Sequence, residues 1–343
     1  MSLRPKLLLT GYRGFGDWLY AVPILKYLFE EYDVHLETSR QGWELFGDDP
    51  RFVSKTFFDV SKLHEAIMNG QPIDELKIVH ERWDALEKML KPDKVINLFR
   101  TIESTCMIEK WQEAFYYPLK KRRELFGDKE FYSQAFIKSG ISMPDKLDLT
   151  GLYFSPENIK WALDWQSQHR NQFIIMLLVN GSGFYKRYPF ISTLVSELLQ
   201  KYEEAVIYLV GDGSVPVDIK HERVYSVLGN APYKQVILMT KYANLVIGPE
   251  TGLHAAAGMW GTPKIQLCSA SSVWQLCSKH DNDYSIQSKY FCSPCHKLLY
   301  NVFDCDSVAV HNYNLYPSCI LEFDKAEIMK NIETVYEKAL ALC

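Results

Sequence analysis

The segment Leu245-Val-Ile-Gly-Pro-Glu-Thr-Gly-Leu-His-Ala-Ala-Ala-Gly258 predicts a strand, a turn and a helix in immediate succession. Its first three residues are apolar and predict a buried strand, and its small residues from 255 to 258 predict a helix that packs closely on a sheet. Amide groups at the start of a helix lack partners inside the helix and carry partial positive charge, so they attract phosphate. A phosphate site and a plain strand-to-helix turn with a threonine cap fit this segment equally well.

Strand-like and helix-like segments alternate on both sides of this segment. Buried strands are predicted at 6–10, 34–38, 95–99, 173–179, 205–210, 224–228 and 264–267, and helices at 19–28, 64–90, 157–168, 191–202, 234–242 and 325–342. Such alternation is typical of parallel sheets that are covered by helices on both faces. We therefore predict an α/β fold with two Rossmann-like lobes facing a central cleft.

A change of pattern between Pro144 and Pro156 marks the predicted boundary between the two lobes. The N-terminal lobe is expected at 1–150 and the C-terminal lobe at 151–323, with a Cys-rich excursion at 288–320. A final helix at 324–343 is expected to pack back on the N-terminal lobe. Ligands of open parallel sheets bind beyond the carboxyl ends of the strands, which directs attention to the loops at those ends.

Composition and charge narrow the class of protein. Of the 343 residues, 47% are hydrophobic and 23% charged, which is typical of globular domains. The net charge of −4 disfavours nucleic acid as a partner, since such proteins usually carry a basic excess. We expect a cytoplasmic location, because the sequence suggests neither a secretory signal nor a membrane span. The basic run at 120–123 is either a solvated helix face or a patch for an acceptor or a membrane surface.

Two further Gly-rich loops follow predicted strands. The loop 180–187 contains Lys186 and Arg187, which are cationic donors suited to phosphate. The loop 14–17 ends at Asp17, whose charge would oppose phosphate there. Asp17 is better suited to act as a general base on an attacking hydroxyl, and the alternative is that it only caps a helix.

Together these segments resemble family 9 glycosyltransferases, the lipopolysaccharide heptosyltransferase group. The resemblance is carried by Gly16-Asp17 with Pro23 and Leu25, by Lys186, and by the segment 245–256 followed by Gly261-Thr-Pro263. It implies a GT-B fold, an inverting reaction with no catalytic metal, and a nucleotide-diphosphate sugar donor, with an ADP-sugar favoured. Asp17 would be the general base. The implied donor and phosphate residues are Gly16, Ser182, Gly183, Lys186, Glu250, Thr251, Gly252 and His254, and Leu228 and Gly229 would border the base.

Two positions depart from the family pattern. The family usually has Asp where this chain has Glu250, and His254 comes one residue early. Both departures lie where the donor sugar is expected, so heptose and other hexose-like sugars both remain open.

Four cysteines have the spacing of a metal site. Cys292 and Cys295 form a C-x2-C pair, and Cys305 and Cys319 complete C-x2-C-x9-C-x13-C. Four thiolates can hold Zn or Fe tetrahedrally, and some autotransporter heptosyltransferases of the same family have a four-Cys iron site in this region. A structural Zn or Fe site is the first interpretation. Unrelated buried thiols and disulfides are the alternatives.

The sequence does not identify the acceptor of the sugar. A glycan, a lipid-linked saccharide and a protein all remain open, and so does a homo-oligomer. The alternative functions are sugar transfer to modified DNA bases, a non-catalytic GT-B-like subunit with a structural metal, and a GT-B-fold epimerase.

Overall fold

The computed structural model describes residues 4–12, 14–59, 75–183, 185–215, 217–299 and 301–341. The chain divides into two compact units. Unit 1 comprises Met1–Thr101 and Tyr132–Ser155, and unit 2 comprises Ile102–Phe131 and Pro156–Cys343. The sequence-based limits differ from these units mainly in residues 102–131, which cluster with unit 2.

Unit 1 is built on a four-stranded parallel sheet with the order β3-β2-β1-β4. Its strands are β1 (Lys6–Gly11), β2 (Asp33–Thr38), β3 (Ser54–Phe57) and β4 (Lys94–Asn97). The strands β1 and β2 are buried almost along their whole length, as their apolar runs predict.

The helices that cover this sheet include one long helix directly after β1. The helices of this part of the chain are α1 (Phe15–Glu31), α2 (Arg40–Phe46) and α3 (Glu75–Leu90). Helix α1 buries Trp18, Leu19, Leu25 and Leu28 on its inner face. The predicted helical pattern over 64–90 is confirmed from residue 75 onward, and its earlier part lies outside the described residues.

Unit 2 contains a six-stranded parallel sheet with the order β10-β9-β8-β5-β6-β7. Its strands are β5 (Phe173–Leu178), β6 (Ala205–Val210), β7 (Val224–Ser226), β8 (Leu245–Pro249), β9 (Lys264–Cys268) and β10 (Ile286–Gln287). This is the doubly wound order of a Rossmann fold, in which the chain reverses its direction of strand addition between β5 and β8. The loops after β5 and β8 therefore flank the place where such sheets bind ligands.

Helices cover the sheet of unit 2, and a hairpin is added after it. The helices between Thr101 and the end of the chain are α4 (Thr101–Thr105), α5 (Leu119–Phe126), α6 (Phe131–Ser139), α7 (Pro156–Ser167), α8 (Ile191–Lys201), α9 (Tyr233–Tyr242), α10 (Gly252–Trp260), α11 (Val273–Cys277), α12 (Ser318–Leu321) and α13 (Lys325–Leu340). The strands β11 (Val308–His311) and β12 (Asn314–Pro317) form an antiparallel hairpin. Helix α13 buries Ile328, Ile332 and Val335 in the core of unit 2.

The basic run at 120–123 lies on α5, and its two arginines are turned into unit 2. The Arg122 guanidinium is almost fully buried and donates to the carbonyls of Tyr117 (2.7 Å) and Cys295 (3.1 Å). Arg123 donates to the carbonyls of Ser293 (2.8 Å) and Pro294 (3.0 Å). These arginines therefore fasten residues 102–131 to the Cys-rich excursion, which neither sequence-based interpretation of the run foresaw.

We predict that Gly248→Ala destabilises the protein more than Gly261→Ala. Both glycines have positive φ, 149° and 65°, but an added Cβ at Gly248 would lie 2.4 Å from the carbonyl oxygen of Leu178, whereas nothing lies within 4 Å at Gly261. The control should lose only the ~1–2 kcal/mol of a left-handed alanine, and Gly248→Ala about 1–3 kcal/mol more from overpacking. Thermal unfolding of the two variants measures this difference, and equal melting temperatures would contradict it.

Candidate functional site

Two of the predicted loops meet at the switch point of the unit 2 sheet. Gly181, just after β5, lies between them. A Cβ on this glycine would come within 2.8 Å of both the Glu250 carbonyl oxygen and the Lys186 side chain. The loop after β5 and the turn after β8 therefore pack directly on each other.

The loop after β5 is a short hairpin. Asn180 and Arg187 form an antiparallel bridge, and the Gly181 amide donates to the Lys186 carbonyl at 2.9 Å. Ser182 is exposed at the tip and Gly183 is buried against Tyr185. The half-buried Lys186 places its ammonium 5.3 Å from the ring centre of Tyr185, and within the described part of the chain it has no carboxylate partner. A cation that is positioned without a counterion is suited to an anionic ligand.

The turn after β8 leads directly into α10. Thr251 is the N-cap residue, and its hydroxyl accepts from the Leu253 amide at 3.3 Å. Thr251 and Gly252 are half-buried, whereas Ala255, Ala256 and Ala257 are fully buried. The small residues thus bring the helix close to the sheet, and the turn that precedes α10 packs on the Lys186 loop. A helix start with a threonine N-cap fits both the phosphate-binding interpretation and the alternative of a plain strand-to-helix turn.

Glu250 is placed differently from the role that the resemblance implies. Its side chain is buried, and Oε1 accepts from the amides of Ser269 (2.6 Å), Ala270 (2.9 Å) and Ser271 (3.2 Å). Instead of presenting this oxygen to a donor sugar, the carboxylate holds the loop after β9 against the turn after β8. The extra methylene of Glu relative to Asp gives it the reach to do so.

His254 also has a structural position. Its side chain is fully buried, and Nε2 lies 3.2 Å from the carbonyl oxygens of both Gly248 and Pro249, so Nε2 carries the proton and donates to them. Burial, together with the nearby Lys264 ammonium, holds the pKa of His254 well below its ordinary value. His254 therefore stabilises the turn as a neutral imidazole and does not reach the surface where a phosphate would bind.

The predicted base region lies at the carboxyl ends of β6 and β7. Gly229 has a φ of 67° and its amide donates to the Gly211 carbonyl at 2.9 Å. The side chain of Leu228 packs over Gly211. Asn180 donates to the Asp212 carboxylate at 2.7 Å, which ties these turns to the loop after β5. Asn180 and Asp212 are site residues that the sequence analysis did not single out.

In unit 1, Asp17 lies in the first turn of α1. The N-cap of this helix is Gly14, so Asp17 is not the cap residue that the alternative interpretation requires. Gly16 and Asp17 are half-buried, and the Asp17 carboxylate lies near Gly14. Because this turn follows the carboxyl end of β1, the side chain stands at the ligand-binding edge of the unit 1 sheet.

A buried polar cluster at the same edge of unit 1 was missed. Glu37, which is fully buried in β2, accepts from Arg82 Nε (2.9 Å) and from the hydroxyl of Tyr12 (3.1 Å), and it also accepts from Thr56. The ring of Tyr12 stacks on Trp83 at 6.2 Å. Burial, followed by the charge of Glu37, raises the pKa of Tyr12. The only indication of this cluster in the sequence was Glu37, a carboxylate inside a predicted apolar strand.

The four cysteines of the predicted metal site all lie among the described residues as free thiols. The side chains of Cys292 and Cys319 are in contact, and this contact lowers the pKa of Cys292 to about 7. The Cys305 thiol donates to the Ser307 carbonyl at 3.1 Å. Four thiols are a suitable donor set for Zn or Fe, but in the described residues no three His, Cys, Asp or Glu side chains are arranged to hold a metal ion. The structure therefore does not show the predicted site.

No protein-family model matches the chain, and no curated protein matches its sequence. Solved structures match it over almost its whole length. The glycosyl transferase family 9 structure from Veillonella parvula DSM 2008 superimposes with a TM-score of 0.62 at 14% identity, covering 98% of this chain and 99% of that one. The chain thus has the fold of the family 9 glycosyltransferases, as predicted, with a Rossmann-like sheet in each unit.

Two further structures are similar in fold. The ADP-heptose lipopolysaccharide heptosyltransferase II of E. coli has a TM-score of 0.59 at 12% identity and covers 97% of this chain and 99% of its own. TibC of enterotoxigenic E. coli H10407 has a TM-score of 0.58 at 12% identity and covers 99% of this chain and 78% of its own. TibC is described as iron-containing and dodecameric, and it has also been solved with ADP-D-beta-D-heptose. Among the described helices of the present chain, none combines the length and apolarity that crossing a bilayer requires.

We predict that His254→Gln makes the protein less sensitive to acid. Folded His254 stays neutral, whereas the unfolded residue takes a proton below its ordinary pKa of ~6.5, so stability is lost as the pH falls below that value. Glutamine can donate to the same carbonyls and does not titrate. The free energy of unfolding of the variant should therefore fall less steeply, by up to ~1.4 kcal/mol per pH unit. Urea unfolding from pH 7.5 to 5 tests this, and identical slopes would contradict it.

Proposed function

We propose that this chain is an inverting glycosyltransferase that moves a sugar from a nucleotide-diphosphate donor to a hydroxyl acceptor. The observation that carries the proposal is the packing of the Lys186 loop on the turn before α10, across Gly181, at the switch point of a Rossmann-ordered sheet. The fold shared with family 9 glycosyltransferases supports it.

The diphosphate is the part of the donor that this arrangement suits. Negative charge develops on the diphosphate as its bond to the sugar breaks, and fixed positive groups stabilise that charge most when they need not reorganise. The first amides of α10, the hydroxyl of Thr251 and the Lys186 ammonium supply such groups. In this proposal Glu250 and His254 position the turn and do not touch the donor.

Asp17 is proposed as the base that takes the proton from the acceptor hydroxyl. The nucleophile is then the deprotonated acceptor oxygen, which forms the new bond to the sugar carbon while the diphosphate leaves from the opposite face. A single displacement of this kind inverts the configuration at that carbon. The position of this acidic side chain in the first turn of α1, after the carboxyl end of β1, supports this assignment.

An ADP-sugar is the proposed donor, with heptose or another hexose-like sugar as the transferred group. The heptosyltransferases of similar fold, whose names and complexes refer to ADP-heptose, support the nucleotide. The turn at Leu228 and Gly229 is the proposed border of the base. The acceptor class is a glycan, a lipid-linked saccharide or a protein, and a homo-oligomer is proposed by analogy with the dodecameric TibC.

We predict that Asp17→Asn lowers the transfer rate by about 10²–10⁴-fold without weakening donor binding, because it removes only the base. Lys186→Met should weaken donor binding as well as transfer, because it removes a charge from the diphosphate site. Turnover and binding of ADP-sugars by the purified variants measure these effects.

The matched controls are Asp84→Asn on the exposed face of α3 and Lys220→Met in an exposed loop of unit 2. Both should retain the rate and donor affinity of the unaltered protein. Full transfer by both Asp17→Asn and Lys186→Met would contradict the roles proposed for Asp17 and Lys186.

The four cysteines are proposed to hold a structural Zn or Fe with no part in the chemistry. The four-thiol donor set, the contact between Cys292 and Cys319, and the arginines that hold the carbonyls of 293–295 support this proposal. We expect about one metal ion per chain by elemental analysis of the purified protein and a clear loss in Cys295→Ser. A metal-free protein with an unchanged melting temperature in a chelator would contradict this proposal.

A further inference from the structure

A concave surface lies in unit 2 between residues 115–122 and the Cys-rich excursion. Its volume is about 330 Å³, at the lower end of the ~300–1,000 Å³ typical of small-molecule sites. Aromatic side chains form its walls and charged side chains its floor. The residues that line it include Tyr116, Phe291, Arg122, Lys297 and Asp306. None of them belongs to the proposed donor site.

The aromatic walls are exposed, and each ring packs against the ring of the preceding residue. Tyr116 and Phe291 have exposed fractions of 70% and 69%. Tyr116 packs edge-on against the buried Phe115, with ring centres 5.5 Å apart, and Phe291 packs against Tyr290 at 4.8 Å. Two large rings that keep a face toward solvent on a supported base are suited to stacking with a ligand.

At the floor of the surface, the Asp306 carboxylate accepts hydrogen bonds from two buried cationic side chains, Lys297 and Arg122. Lys297 and Arg122 each have an exposed fraction of only 4%. Lys297 Nζ donates to Asp306 Oδ1 at 2.7 Å, and Arg122 Nη2 donates to Oδ2 at 3.2 Å. The Asp306 side chain itself is half-exposed. Both oxygens are therefore fixed from below and keep lone pairs that a ligand can reach.

We propose that this concave surface binds a neutral saccharide of one or two rings. The C–H faces of a sugar carry partial positive charge and stack on the negative faces of the Tyr116 and Phe291 rings. Neighbouring sugar hydroxyls donate to Asp306 in charge-assisted hydrogen bonds. Because Lys297 and Arg122 already hold the Asp306 carboxylate in place, little of its conformational entropy is lost on binding.

The same features disfavour other ligands. An anion would meet the exposed Asp306 carboxylate, while Lys297 and Arg122 are buried beneath it and already engaged. An apolar ligand would cover Asp306 without giving it a hydrogen bond, which is costly for a charged group. The proposal that this surface binds a saccharide does not depend on the proposed glycosyltransferase function. Its use as a subsite for an acceptor glycan rests on that function.

Saturation-transfer difference NMR on the full chain tests the proposal, with maltose, cellobiose and lactose as neutral probes and glucuronic acid as the acidic probe. At least one neutral probe should receive saturation. Its affinity should fall at least fivefold in Phe291→Ala and in Asp306→Asn. Phe303→Ala is the matched control, because Phe303 is a more exposed phenylalanine of the same excursion that does not line the surface. This variant should bind as the unaltered protein does.

Several outcomes would overturn the proposal. They are no saturation of any neutral probe, a preference for glucuronic acid, and equal binding by all variants. A change of oligomeric state in Phe291→Ala without any saccharide binding would also overturn it, by showing that the rings contact another copy of the chain. Nucleotide binding measured on the same samples reports separately on the donor site, so failure of the proposed function is distinguishable from failure of this inference.

Discussion

The close approach of two backbone segments at Gly181 and Gly248 is the constraint on which the unit 2 site depends. An added Cβ at Gly248 would meet the carbonyl of Leu178 in β5, and one at Gly181 would meet the carbonyl of Glu250. Without these two glycines, β8 could not end beside β5 and the Lys186 loop could not lie on the turn before α10. Because these glycines let the loops after β5 and β8 come into contact, the two loops can form one ligand site at the switch point of the sheet.

Buried polar groups then hold this arrangement in place. Glu250 binds three amides of the loop after β9, and His254 binds two carbonyls of the turn after β8. Lys264 is fully buried at the start of β9 and donates to Asp283 at 2.7 Å. Removing one partner from such contacts leaves the other buried and unpaired, which costs more than the contact itself gains. Glu250 and His254 therefore hold the turn that leads into α10, where the diphosphate is proposed to bind.

Local patterns predicted the framework well. The strands β1, β2, β5, β6, β8 and β9 follow from short apolar runs, and the helices that cover them follow from apolar periodicity, because burial on both faces leaves a direct trace in the sequence. The contact between the Lys186 loop and the turn before α10 was also predictable, because parallel strands bring the loops after them to one edge of a sheet.

Contacts between distant parts of the chain were not predictable. Residues 102–131 join unit 2 through Arg122 and Arg123, which donate to the carbonyls of Cys295 and Pro294, more than 160 positions away. The orientation of Glu250 depends on the loop after β9, which is distant in the sequence. The local motif alone therefore predicted that Glu250 contacts the donor. The four cysteines of the predicted metal site show the same limit of local sequence patterns. Their spacing predicts a metal site, but the geometry of the side chains decides whether the four thiols converge.

Calorimetric titration of the purified chain with ADP, GDP and UDP, each compared with its own nucleoside, tests the central claim most directly. The account predicts that at least one nucleoside diphosphate binds and that its nucleoside binds far more weakly, because the first turn of α10 and Lys186 act on the phosphates. Equal affinity for a diphosphate and its nucleoside, or no binding of any of the three, would contradict the account.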